Sequence, residues 1–504
     1  MIRDPVPARF NLARYCLAEN ARARPDALAL TVLGDAGELR FTQGELDLKV
    51  RSLAAGLASL GLPRGSRVMI RMGNEAGAAL AYFAAIAAGH VALLASSLLT
   101  EEEAQFLIED CGAGVLVLGA AFEAERHALP GLVVLRAADL ARLMESAPLR
   151  DYADTGANDP AYLVYTSGTT SRPKGVLHAH RAAWGRRPMY AHWEGLGPTD
   201  VMLHAGAINW TYTLGVGIVD PLANGAQAVL YNGAPDPAVW PRLIEQYRAT
   251  IFAAVPGVYR QMLKHGAPEA GDLASLRHCL SAGAALTPSL LVEWRERTGR
   301  EIYEAFGMSE ISTFISSGPT TPVRPGSPGR PQPGRIVAAL PRDGGTTPLP
   351  PGETGVLAVR RDETGLMLGY WNRPEEEAEA FRDGWFVSGD LVAFDADGYM
   401  HHHGRADEVM NAGGYRVSPA EVEKCLLDIE GVAEAAAAER PGRDKDATII
   451  KAYVVARAGA RLDEAAILAH CAAHLAAYKR PRAVAVLDAL PRNANGKLNR
   501  ALLP

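Results

Sequence analysis

The stretch Ala76–Thr100 constrains this chain more than any other, because it carries no formal charge over 25 residues. An apolar run of that length can cross a bilayer, which needs about 20 residues. Its composition argues for a protein interior instead. Alanine and glycine dominate it, and Gly89-His90 interrupts it. The pattern predicts a buried helix through about Ile86 and a buried strand near Val91–Leu94. A helix and a strand without a polar face need neighbours on both sides. That requirement favours layered α/β architecture with strands covered on both faces.

The rest of the chain agrees. From about Asn11 to Leu230, helical apolar stretches alternate with short β-rich runs such as Arg67–Arg71, Val115–Leu118 and Leu132–Leu135. Thr100-Glu101-Glu102-Glu103 has the form of a capping box. The region Gly318–Gly355 is dense in proline and glycine and reads as loops and short strands. With 504 residues, the chain exceeds a single compact core. A second unit is expected from Gly404. There Ser418-Pro419-Ala420-Glu421 reads as N-cap, N1 and N3 of a helix over Pro419–Leu427, followed by β-runs at Val432–Ala438 and Thr448–Ala456 and a helix over roughly Leu462–Ala476. The expected fold class is therefore α/β: a large layered N-terminal domain of β-sheets flanked by helices (1–403), a hinge (404–408) and a small mobile α+β C-terminal domain (409–504).

Charge and cysteine content exclude several functions. A formal net charge of −6 lacks the basic excess of a nucleic-acid binder. Cys16, Cys111, Cys279, Cys425 and Cys471 lie far apart, without a C-x-x-C pair, so neither a disulfide framework nor a zinc site is indicated. Reduced thiols and an opening MIRDPVPARF without the apolar run of a signal peptide lead to an expected cytoplasmic location. His401-His402-His403 reads as part of a strand. Neighbouring side chains there point to opposite faces, which makes three consecutive histidines poor joint metal ligands. His178 and His180 read as structural residues at a helix start.

The most informative segment is Tyr165-Thr166-Ser167-Gly168-Thr169-Thr170-Ser171-Arg172-Pro173-Lys174-Gly175, which follows an apolar strand. Glycines let the backbone approach an anion and turn N–H groups toward it, hydroxyls add donors, and lysine adds a mobile positive charge. Only eight lysines occur in the chain, against 51 basic residues in all, so a lysine within such a loop stands out. Taken alone, the segment also reads as a polar surface loop. It does not follow the Walker pattern.

This run resembles the phosphate-binding signature of the adenylate-forming superfamily, which comprises acyl-CoA synthetases, adenylation domains and luciferases. Ser171 stands where that signature usually has glycine. Further signatures follow in order. Tyr303-Glu304-Ala305-Phe306-Gly307-Met308-Ser309-Glu310 resembles the next one. By resemblance Ser309 contacts the α-phosphate, and Glu310 helps hold Mg²⁺, for which a carboxylate is suited as a hard oxygen ligand. An isolated glutamate is ordinarily just solvated; the motif is what singles this one out. Ser388-Gly389-Asp390 resembles the ribose site. Gly404-Arg405-Ala406-Asp407-Glu408 resembles the hinge, with Asp407 as pivot and Arg405 near the ribose or phosphates. Gly413-Gly414-Tyr415-Arg416 resembles the loop lining the thiol channel. Pro491-Arg492-Asn493-Ala494-Asn495-Gly496-Lys497 resembles the C-terminal lysine loop, with Asn493 and Asn495 replacing the more usual Thr and Ser.

The resemblance spans about residues 10 to 500, closest to the benzoate-CoA ligase and medium-chain acyl-CoA synthetase branches. It implies ATP and Mg²⁺ as cofactors, a carboxylic acid as substrate and a thiol as acceptor; coenzyme A is the expected thiol because the sequence shows neither a carrier domain nor an ammonium-pairing Asp, and a homodimer is one possible assembly. Lys497, Lys174 and Glu310 are the implied catalytic residues, with Glu310 also the metal ligand. Thr166, Ser167, Gly168, Thr169, Thr170, Lys174, Glu304 to Ser309, Asp390 and Arg405 are the implied nucleotide contacts. The acyl pocket is expected between His204–Gly217, Ser281–Gly283 and the residues after Gly307, with Trp210, Tyr212, Ala282, Gly283, Thr313 and Phe314 as walls. The same aromatics also fit plain core packing. No acid occurs between Asp200 and Asp220 to pair a substrate ammonium, so an α-amino acid is disfavoured. An aromatic, alicyclic or short-to-medium aliphatic monocarboxylate is expected. Rival readings are a stand-alone adenylation enzyme loading a carrier protein, a luciferase-like oxygenase and a non-catalytic nucleotide-binding protein.

Overall fold

The computed structural model describes residues 5–34, 37–166, 173–234, 236–268, 273–406, 410–412, 415–441, 448–475, 479–492 and 498–504. Two compact units emerge: Met1–Ile336 with Arg360–Gly384, and Val337–Val359 with Trp385–Pro504.

The first unit holds two large sheets. In the nine-stranded sheet, Leu28–Gly34, Gln227–Asn232, Val201–His204, Ile251–Ala254, His278–Ala282 and Ile302–Met308 run parallel, and antiparallel strands close both edges. In the seven-stranded sheet, Pro160–Thr166, Val91–Ala95, Arg67–Arg71, Ala113–Leu118 and Val133–Leu135 are parallel, and Lys174–Ala179 and Gly369–Tyr370 add antiparallel strands at one edge. The parallel strands read as near-continuous apolar runs because helices cover them on both sides.

The charge-free stretch folds as the pattern predicts. Ala76–Ala87 is a helix and Val91–Ala95 a strand, and both are buried. The helix packs against strands Arg67–Arg71 and Val91–Ala95 on one side and helices Leu12–Ala23 and Gln43–Ala58 on the other. One core runs through these helices to both sheets: Val68, Ile70 and Leu94 belong to it, and so do Leu30, Ala228 and Leu230. Thr100 and Glu103 form the expected capping box. Among the described residues, no helix is long and apolar enough to cross a membrane.

The second unit contains a sheet of Val337–Leu340, Gly355–Arg360, Trp385–Phe394 and Met400–Arg405. A three-stranded sheet, Val432–Pro441, Thr448–Ala456 and Ala483–Leu487, packs with helices Pro419–Leu427 and Glu464–His474 around its own core. The packing division falls earlier than a boundary at Gly404, because the histidine-bearing strand pairs with Trp385–Phe394. Ser418 stands at the N-cap of the helix Pro419–Leu427, but its hydroxyl makes no cap bond and donates to the carbonyl of His403.

Candidate active site

Strands Pro160–Thr166 and Lys174–Ala179 form an antiparallel pair with Thr166 opposite Lys174. These two residues mark the mouth of the Ser/Thr/Gly loop. Ser167, Gly168, Thr169, Thr170, Ser171 and Arg172 lie outside the described residues. The Lys174 ammonium is 3.8 Å from Glu376 and 5.9 Å above the ring of Tyr370.

The short strand Gly369–Tyr370 extends the same sheet, with Tyr370 opposite Val176. Its hydroxyl donates to Glu310 Oε1 at 2.8 Å. The Met367 N–H donates to the Glu310 carbonyl at 2.8 Å. His178 adds a third tie. Burial pushes its pKa down to about 4, so it is neutral, and Nε2 lies 2.8 Å from the Ser309 carbonyl, which assigns that nitrogen the proton. His178 was expected at a helix start; it lies on the strand Lys174–Ala179, stacked on Tyr162 with ring centroids 4.6 Å apart. His180 does open a short 3₁₀ helix, and its Nδ1 accepts from the Leu12 N–H. Through these contacts the phosphate-loop edge of one sheet holds the Ser309–Glu310 end of the other.

Glu304, Ala305, Phe306, Gly307 and Met308 lie on the strand Ile302–Met308. A bulge between Phe306 and Gly307 interrupts its pairing with Ser312–Ser316. Glycine is required at 307, since a Cβ there would sit 2.4 Å from the Ser312 carbonyl oxygen. Glu304 is buried and accepts the Leu286 N–H at 3.0 Å; burial pushes its pKa up to about 8 against that hydrogen bond.

The residues expected at the acyl pocket fall into two groups. Tyr212, Ala282, Ala305 and Met189 share one apolar cluster, with Trp210 packed against it. Thr313 Oγ1 reaches Met189 Sδ at 3.3 Å. Gly283 has φ +88°, and a Cβ there would meet the Trp210 ring at 2.8 Å, so glycine admits the indole. The Tyr212 hydroxyl donates to the Leu280 carbonyl at 3.1 Å, tying that ring into the core. Phe314, fully buried, meets Phe306 edge-on.

Several buried polar groups were not singled out from sequence. Arg186 donates to both oxygens of Asp220, with Nε 2.6 Å from Oδ1, and also to the Ser312 hydroxyl. Ser312 has φ +72°, an uncommon conformation for a residue with a Cβ. Glu194 is fully buried beside Asp220. Burial first, then the Asp220 charge, pushes its pKa far up, so it carries a proton. His204 is buried against the Tyr212 ring, and neither nitrogen has a hydrogen-bond partner among the described residues; burial lowers its pKa to about 3. Asp200, the other acid flanking the acyl segment, is held at 2.7 Å by Arg277. Neither Asp200 nor Asp220 is thus available to a substrate ammonium.

In the second unit, Asp390 and Arg405 are cross-strand partners. Burial pushes the Asp390 pKa up, but the hydrogen bond from His402 at 2.9 Å and the nearby charges outweigh it, and the net shift is downward. His401 meets Asp395 at 3.5 Å. Gly413 and Gly414 lie outside the described residues, as do Asp407 and Lys497; Tyr415 and Arg416 are described only as backbone of a short strand.

Residues 17–371 match the family described as AMP-binding enzyme, and residues 421–497 match the AMP-binding enzyme C-terminal domain. The chain belongs to the AMP-binding enzyme family. Among relatives in that family, a 3-hydroxybenzoate–CoA ligase of Aromatoleum sp. (strain CIB) is 32% identical over 482 residues, covering 92% of this chain and 91% of the relative. The solved structure of the anthranilate CoA ligase AuaEII in complex with anthranoyl-AMP superposes with a TM-score of 0.90 at 29% identity, covering 99% of this chain and 98% of that one. ATP-bound MatB from Rhodopseudomonas palustris gives 0.89 at 29% identity, with 98% of each chain covered. The mixed α/β architecture, with its large N-terminal part and a C-terminal domain, is that of these AMP-binding enzymes.

Proposed function

We propose that the protein is an ATP-dependent carboxylate–CoA ligase of the cytoplasm, acting on an aromatic monocarboxylate. The acid attacks the α-phosphorus of ATP, pyrophosphate leaves, and the resulting acyl-AMP is attacked by the thiolate of coenzyme A with release of AMP. The observation that carries this reading is the pairing of Thr166 with Lys174 at the mouth of the Ser/Thr/Gly loop, one strand away from a carboxylate, Glu310, that faces the same edge. Relatives that are benzoate-type CoA ligases or hold an acyl-AMP support the acid class and the two-step route.

Two anions meet in the first step, so rate enhancement comes from positioning and charge neutralisation rather than from a general base. Lys174 neutralises phosphate charge. Lys497 is assigned to the carboxylate and α-phosphate, Ser309 and the loop donors Thr166 to Thr170 to phosphate oxygens, and Asp390 to the ribose hydroxyls. Glu310 fits a Mg²⁺ ion: its carboxylate offers hard oxygen lone pairs beyond the one taken by Tyr370. Such an ion, when bound, supplies charge stabilisation at the phosphates. Trp210 over Gly283 forms an aromatic wall suited to a planar ring. Asp407 is assigned as the pivot, and Gly413 to Arg416 as the thiol channel.

The test is pyrophosphate release with CoA across benzoates, hydroxybenzoates, cyclohexane carboxylates and short-to-medium aliphatic acids, with a phosphopantetheinylated carrier protein as the alternative acceptor. Turnover with aromatic acids and CoA is expected. Turnover only with the carrier, or only with aliphatic acids, would overturn the corresponding half of the reading. Lys497→Ala should abolish acyl-AMP formation yet spare thioester formation from supplied acyl-AMP; equal loss in both half-reactions would remove Lys497 from its assigned role.

A further inference from the structure

We propose that Tyr370 is a positioning residue that sets the orientation of the Glu310 carboxylate. The inference rests on the role given above to Glu310. The Tyr370 O–H donates to Glu310 Oε1 at 2.8 Å. One fixed oxygen orients the carboxylate and leaves its other lone pairs for a hard cation, as groups behind metal ligands commonly do.

Tyr370 is itself held from several directions. The flanking N–H groups of Leu368 and Trp371 donate to the carbonyls of Leu177 and Gly175, both at 2.7 Å. Asp110, near the end of the helix Glu101–Cys111, anchors the segment. Its carboxylate accepts Arg373 at 2.8 Å and the Tyr165 hydroxyl at 2.6 Å, and its carbonyl accepts the Trp371 indole N–H at 3.0 Å. The Arg67 guanidinium lies over the Trp371 ring. Tyr165 precedes the phosphate loop and Tyr370 touches Glu310, so Asp110 ties the two together.

Tyr370→Phe keeps the ring and removes only the hydroxyl. It should be compared with Glu310→Gln and Asp110→Asn by two readouts. The first is Mn²⁺ uptake in the presence of a non-hydrolysable ATP analogue, read from loss of the free-Mn²⁺ EPR signal. The second is the Mg²⁺ dependence of pyrophosphate exchange. Tyr370→Phe is expected to raise the half-saturating metal concentration about tenfold in both, with KM for the acid and Tm unchanged; Asp110→Asn should shift the metal curve less in the same direction. A Tyr370→Phe metal curve that superposes on wild type, while Glu310→Gln is displaced, overturns the role of Tyr370 alone. If Glu310→Gln is not displaced either, the assignment of Glu310 falls first and this inference with it. A change confined to Tm or to KM for the acid would mark Tyr370 as a packing residue and overturn the proposal.

Discussion

Arg186 and Asp220, with the neutral Glu194 beside them, form one ionisable group in the first unit; Lys174 and Glu376, with Tyr370 next to Lys174 and bonded to Glu310, form another. In the first, the Arg186 and Asp220 side chains are 8% and 0% exposed, and two hydrogen bonds join them. In the second, Lys174 and Glu376 are 21% and 31% exposed and stand 3.8 Å apart. Buried charges must be paired, because the desolvation cost of leaving one alone is several kcal/mol. Charges that receive a ligand must keep some capacity unspent. On the function proposed above, the first group maintains the fold and the second serves the chemistry, and substitutions can separate the two.

The largest effect is expected from Arg186→Met. It strands Asp220 in the core and should cost about 3–5 kcal/mol in denaturant unfolding; a loss below about 1 kcal/mol would break the contrast. Glu304 comes next. Its pKa is raised to about 8 by burial, whereas an unfolded glutamate titrates near 4.5. Between those values the folded state binds the extra proton, so stability falls as pH rises through that window and levels off above about 8. The total is on the order of a few kcal/mol, and Glu304→Gln should flatten the curve in pH-dependent unfolding. Lys174→Met should lower kcat/KM for pyrophosphate exchange about a hundredfold, as loss of one charge-stabilising donor does, while stability moves by less than about 1 kcal/mol, the worth of a partly exposed ion pair. The smallest effect belongs to Glu194→Gln. The protonated carboxyl beside Asp220 is already neutral, so the amide should change stability by less than about 1 kcal/mol; a large loss would show that Glu194 carries charge after all.

What could be read from the sequence was local. The helix Ala76–Ala87, the strand Val91–Ala95 and the Thr100 capping box depend on patterns a few residues long, and they form as expected. The Ser/Thr/Gly loop was legible because its residue types crowd together, and the Tyr303–Glu310 segment through its resemblance to a family signature. Tyr370 and Asp110 were not, since their partners lie 55 to 263 residues away. Nothing in the local pattern sets Arg186 against Asp220, 34 positions on, within a core that appears polar only when folded. Ser418 stands at the N-cap as its local signal predicts, with Pro419 opening the helix, but its hydroxyl goes to the His403 carbonyl, a partner the local pattern does not show.

The alanines of helix Ala76–Ala87 have a consequence for the distance between two halves of the candidate active site. Thr166 and Lys174 ride on one sheet, Glu304 to Met308 on the other, and this helix lies in the layer separating them. Ala78, Ala81, Ala84 and Ala85 have no exposed surface and no slack around them. Their methyl groups therefore act as a shim of fixed thickness, so that the spacing between the two candidate segments is gauged by residues outside both.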